Sequence, residues 1–171
     1  IPTLGFGGLK TSWKVFSIPF DLINTNSQIN VIFDELEGLN SKTDYRLLAL
    51  NDARDNWKEY PSFTSIDRGQ GYFINIKEVQ TIKLPGTLTA PANARDNLFQ
   101  ITLQPGWNMV GNPYLTPISW ADVSTLNGLT GTTAQFKKFS SGTYTNNQSI
   151  GAYEGGFVFS ALTAPTTIDI P

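Results

Sequence analysis

The 171-residue chain contains neither cysteine nor histidine. The first absence excludes disulfide staples, thiolate metal sites and cysteine nucleophiles. The second removes the commonest general base, the usual catalytic triad and most zinc chemistry. Charge is scarce too. Asp, Glu, Lys and Arg make up 15% of the residues, against about a quarter in an ordinary soluble protein. The net charge is −2, and Lys137-Lys138 is the only adjacent basic pair. No stripe of positive potential is available to match a phosphate backbone, so nucleic acid is excluded as a partner. The apolar runs are far too short to span a bilayer, which excludes direct membrane insertion by a helix. No leader segment is visible, and the opening Ile1-Pro2-Thr3 reads as a processing boundary.

What is present is enough for a folded core. Hydrophobic residues make up 40% of the chain, and this length buries a core without covalent staples. Gly, Asn, Ser and Thr fill the place of the missing charges. That balance suits short strands joined by many turns, with hydroxyls and amides facing water. It leans towards an extracellular surface.

The chain repeats itself. Trp13-Lys14-Val15-Phe16-Ser17-Ile18-Pro19-Phe20 and Trp107-Asn108-Met109-Val110-Gly111-Asn112-Pro113-Tyr114 share a Trp, an apolar stretch, then Pro and an aromatic at identical spacing. Gly71-Tyr72-Phe73-Ile74 matches Gly156-Phe157-Val158-Phe159, and Ile82-Lys83-Leu84-Pro85 matches Ile168-Asp169-Ile170-Pro171. The offset between copies is 94 residues at the Trp, 85 at the Gly and 86 at the Pro. Such drift is expected of insertions in loops. Two units follow, 1–86 and 87–171, expected to pack as one body and to be related by a two-fold or a translation.

Each unit reads alike. A strand carries the Trp and ends at Pro. A short helix follows: Gln28 to Leu39, with Ile29, Ile32, Phe33 and Leu36 at helical spacing, or the segment after Ser119, an N-cap before Trp120. Strands are predicted at 45–50 and 134–139, at 57–60 and 142–145, at 71–76 and 156–159, and at 81–84 and 166–170. The stretch 97–103 is predicted to form a hairpin with the strand of Trp107, and 87–96 is the linker. The fold class is therefore mainly β: two duplicated, packed units, sandwich- or barrel-like, each with a short helix.

The words from Pro105 to Tyr114 and Ile118-Ser119-Trp120-Ala121-Asp122-Val123 resemble the GWNLIGNP…WxDV segments of large secreted and surface-anchored bacterial proteins. The first unit resembles a sister form, GWNLVSIP…GxGYWI, through Ser12 to Pro19, Trp57-Lys58-Glu59-Tyr60 and Gly69-Gln70-Gly71-Tyr72-Phe73-Ile74. It departs from the pattern at Ser12 and at Glu154-Gly155-Gly156. The resemblance implies a repeat module of a multi-domain secreted or cell-surface protein, and supplies no catalytic residue.

Trp13 and Trp107 lie in apolar strands and read as core. Trp57 and Tyr60, with Trp120 and Tyr144 as their counterparts, lie beside turns and polar side chains. Flat rings next to amides and carboxylates are how proteins grip sugars, so these four are the candidate ligand-binding residues. Asn51 to Asn56 gathers oxygen atoms, which makes Asp52 and Asp55 weak candidates for calcium ligands, but an Asx-rich turn accounts better for the same residues. Gly69-Gln70-Gly71 precedes a strand and lacks the helix that a phosphate loop needs. No two carboxylates are paired by sequence for glycoside hydrolysis. The expectation is a non-catalytic structural or interaction module with no cofactor. Its partners would be neighbouring domains of its parent chain and either a glycan or another surface protein. The alternative is a carbohydrate-binding module of a secreted polysaccharide-degrading enzyme.

Overall fold

A computed structural model describes residues 3–6, 12–22, 27–84 and 98–171. The elements of the first half are β1 (Thr3–Phe6), β2 (Lys14–Phe16), α1 (Ile29–Ile32), β3 (Tyr45–Leu50), β4 (Trp57–Glu59), β5 (Tyr72–Ile76) and β6 (Gln80–Lys83). Those of the second are β7 (Phe99–Leu103), β8 (Gly106–Gly111), β9 (Ile118–Ser119), α2 (Trp120–Leu126), β10 (Phe136–Ser140), β11 (Thr143–Asn147), β12 (Ser149–Ile150), β13 (Gly155–Ser160) and β14 (Thr166–Ile170). The fold is mainly β, with packed antiparallel sheets and short helices, and among the described residues no sheet closes into a barrel.

Two four-stranded sheets dominate. Their orders are β2-β5-β3-β4 and β8-β13-β10-β11. Matching strands by their sequence words gives one topology in both halves. Each half adds a two-stranded ribbon, β1-β6 or β7-β14. The ladders also correct the sequence match by one residue. Val15 opposes Phe73, and Met109 opposes Phe157. Phe157 is therefore the counterpart of Phe73, not of Tyr72, and Gly155 that of Gly71.

Side chains alternate between the faces of a sheet, and directly opposed residues share a face. One face of each sheet covers its own core. In the first half Phe16, Leu47, Tyr72, Ile74 and Ile76 pack with Ile29, Ile32, Phe33 and Leu36. In the second, Val110, Phe136 and Val158 pack with Trp120, Val123, Ile168 and Ile170. The other two faces meet at a seam built from Leu50, Phe73, Met109 and Phe157, with Trp13, Val15, Leu48 and Phe139 around them.

Contacts across one end of the seam are reciprocal. The Ser17 amide donates to Tyr153 O (3.0 Å) and the Gly111 amide to Gly69 O (2.9 Å). Isolated bridges join Phe16 to Glu154 and Gln70 to Val110. Under the register above, each contact is the image of the other, as an approximate two-fold axis requires. Backbones approach closely there. A Cβ on Gly111 would collide with Ser17 Cβ and Gln70 O. Arg68 adds an unpredicted clasp: its Nε donates to Pro113 O (2.8 Å), its Nη1 pairs with Asp21, and its guanidinium lies 4.5 Å from the Phe99 ring centroid.

Three expectations change. The helix predicted over Gln28 to Leu39 is a single turn, α1, followed by a 3₁₀ turn at Asp34–Leu36. Gln28 provides no side-chain cap, and Phe33 leaves helical geometry at φ −117°, ψ 51°; a short helix without a cap rarely propagates. Ile29, Ile32, Phe33 and Leu36 are buried all the same. Second, β7 pairs with β14 and makes no ladder with β8. Asn108 forms the corner instead, its side chain accepting from Gln104 N (2.9 Å) and donating to Gln104 O (2.8 Å). Third, Trp107 is not core. The cap at Ser119 is present: its Oγ accepts from Asp122 N (3.3 Å). The linker 87–96 and the junction at 86/87 lie outside the described residues. Among the described residues no helix is long and apolar enough to cross a membrane.

Candidate functional site: an aromatic cleft at the seam

At the reciprocal end of the seam the sheets touch. On the seam faces of the two sheets lies a cleft of about 540 Å³ lined by Leu50, Trp57, Trp107, Tyr144 and Phe157 and by the polar residues Arg54, Asp55, Asn56 and Lys137. Both halves contribute. Leu50 and Trp57 come from opposed positions on β3 and β4, while Phe157 and Lys137 oppose each other on β13 and β10.

Phe157 organises the rings. Trp57, Trp107 and Tyr144 stand at 88°, 83° and 79° to it, with centroids 6.4, 6.4 and 5.3 Å away. Edge-to-face contacts of this kind hold a ring in place without covering it. Trp57 and Trp107 are each 41% exposed and Tyr144 is 53% exposed. Partial burial raises the pKa of the Tyr144 hydroxyl above its ordinary value, so it stays a neutral donor at physiological pH.

The rim is polar. Lys137 Nζ donates to Asn146 Oδ1 (3.2 Å) and forms no ion pair among the described residues. Arg54 has φ +61°, and its Nε is buried without an acceptor among the described residues. Burial lowers its pKa, against the opposing fields of Asp52 and Tyr72. Among the described residues Asp55 is the one carboxylate in the lining.

Of the four predicted binding residues, Trp57 and Tyr144 come together in this cleft. Their register makes them counterparts: Leu50 opposes Trp57, and Phe139 opposes Tyr144. Trp120 does not join them. It is fully buried in the second core, with Nε1 donating to Thr133 O (3.2 Å). Tyr60 is also elsewhere. It lines a separate cavity of about 340 Å³ with Ile29, Phe33 and Tyr45. Trp107, read as core, takes the place that sequence reasoning gave to Trp120.

The turn at 51–56 is closed by its own Asx side chains. Asn51 Oδ1 accepts from the amides of Asp55 and Asn56 (3.2 Å each), and Asn51 Nδ2 donates to Asp55 Oδ1 (2.8 Å). Asp52 pairs with Lys58 (3.1 Å). Among the described residues no group of three or more His, Cys, Asp or Glu side chains could hold a metal ion. Asp52 and Asp55 each have a structural partner. No family model, curated protein or solved structure matches the chain.

Proposed function

We propose that this chain is a non-catalytic interaction module of a larger extracellular or cell-surface protein, with the seam cleft as its binding site. The observation that carries this reading is the convergence of Trp57, Trp107 and Tyr144, from both halves, on one open cleft around Phe157. Large rings left open together mark interaction sites on otherwise well-covered proteins. The scarcity of charge and the resemblance to repeat modules support a secreted or surface setting, with neighbouring domains of the parent chain as partners. The matched topology supports duplication, with units 1–86 and 87–171.

A second reading is a carbohydrate-binding module of a secreted polysaccharide-degrading enzyme. The ring-walled cleft with an amide and charges on its rim favours it, because rings cover the C–H faces of a sugar while polar neighbours bond its hydroxyls. A glycan array followed by polysaccharide pull-down tests both readings. Retention that is lost in Trp57→Ala and Trp107→Ala, with melting curves preserved, supports the carbohydrate reading. Retention unchanged in both variants contradicts the cleft as the site. With no glycan bound, the protein-interaction reading alone stands.

A further inference from the structure

Lys137 stands where this fold has least reason to place a cation. It opposes Phe157 on the seam face of its sheet, and its counterpart in the first half, opposing Phe73, is Leu48. The neighbouring Lys138 points to the other face and is paired with Glu154 (2.5 Å). Arg46, Lys58 and Arg68 also have carboxylate partners. Lys137 and Arg54, the two cations of the cleft, have none among the described residues. They outnumber the single lining carboxylate, Asp55, whose Oδ1 is already bonded to Asn51. This local excess of positive charge sits on a chain of net charge −2.

We propose that the cleft takes an acidic glycan, with a sugar ring against the indoles of Trp57 and Trp107 and its anionic substituent, carboxylate or sulfate, at Lys137. This rests on the carbohydrate reading above. A cation beside an aromatic wall and shielded from bulk water bonds an anion more strongly than one in open solvent. The amide of Asn146 already holds Lys137 Nζ from the side away from Phe157, which limits the freedom lost on binding. The whole-chain negative charge works against unspecific attraction to polyanions, so binding would have to come from the cleft.

The test is affinity electrophoresis of the whole chain in gels containing polygalacturonate, its methyl ester, a sulfated galactan or neutral galactan. The expected result is retardation by one of the two acidic polymers, weakened by added salt and reduced about tenfold or more in Lys137→Gln. Lys137→Leu, which restores the first half's residue, should behave the same way, while Lys138→Gln should be retarded like the parent. Preference for polygalacturonate over the sulfated galactan identifies carboxylate, and the reverse identifies sulfate. Equal retardation by the neutral polymers, or full retardation of Lys137→Gln, overturns the acidic-ligand inference and leaves the carbohydrate reading in place. No retardation by any of the four, with no glycan bound on an array, removes both.

Discussion

Trp13 and Trp107 hold equivalent places at the head of equivalent strands, yet one is partly buried beneath a cation and the other is open. Over Trp13 lies the Arg46 guanidinium, 5.5 Å from the ring centroid. It is held there by two bonds to the Glu59 carboxylate, of 2.7 and 3.0 Å. The register places Gln135 and Asn146 at those positions in the second half, and neither can form the charged clasp. Phe159 replaces Asn75 beside Trp107, at 5.3 Å, and extends the aromatic surface. A repeated frame thus fixes where a tryptophan stands. The residues across the neighbouring strands decide whether it is cover or binding surface.

The sharpest contrast is between tryptophans of the second half. Trp120→Ala empties a fully buried site, and unfolding in denaturant should show a loss of about 3–5 kcal/mol. Trp107→Ala removes a half-open ring held by edge contacts, so the loss should be about 1 kcal/mol. Equal losses would place Trp107 in the core after all.

Gly111→Val breaks the frame itself. The new side chain meets Ser17 and the Gln70 carbonyl at the reciprocal contact, and a cost of about 1–3 kcal/mol is expected. Gly106→Val, at a position with open space around it but φ +87°, separates backbone strain from collision. If Gly111→Val is neutral, the two sheets do not approach as described.

Smaller effects follow at the clasp. Arg46→Gln should leave stability within about 1 kcal/mol, because the pair is largely exposed. It should uncover Trp13, read as greater quenching of tryptophan fluorescence by acrylamide. No change in quenching would mean that Arg46 does not shield the ring. The smallest effect is in pH. The hydrogen bond from Arg46 lowers the Glu59 pKa below its ordinary value of 4.5. The resulting stability is fully present above that value and is lost as the pH falls through the depressed one. Acid melts of Glu59→Gln should therefore lack a small component below about pH 4.5 that the parent shows.

Much of this was legible in the sequence, and the misreadings have physical causes. The strand positions, the Ser119 cap and the equivalence of the two Trp words follow from turn residues and apolar pattern. Trp107 reads as core because it lies in an apolar strand. Yet alternation puts it on the seam face with Met109, at the open end of the ladder opposite Phe159, while Asn108 is buried on the other face with its polarity absorbed by the corner at Gln104. Trp120 looked exposed beside Ser119 and Asp122. Yet Val123 and Ser124 follow it at helical spacing and are buried with it, a period that already marks a core face. Tyr60 follows Trp57 by an odd number of residues, so strand alternation alone sends the two to opposite faces. The shift from Tyr72 to Phe73 as counterpart of Phe157 was hidden because glycine pairs flank both strands. Only the ladder fixes that register.

The most direct test of the account is the binding of Trp107→Ala beside the parent chain on one glycan array, with both proteins melted in the same buffer. The account predicts that the variant melts within about 5 °C of the parent and loses the parent's glycan signal. A variant that keeps the full signal while remaining folded would contradict it, because the open tryptophan of the second half would then have no part in binding.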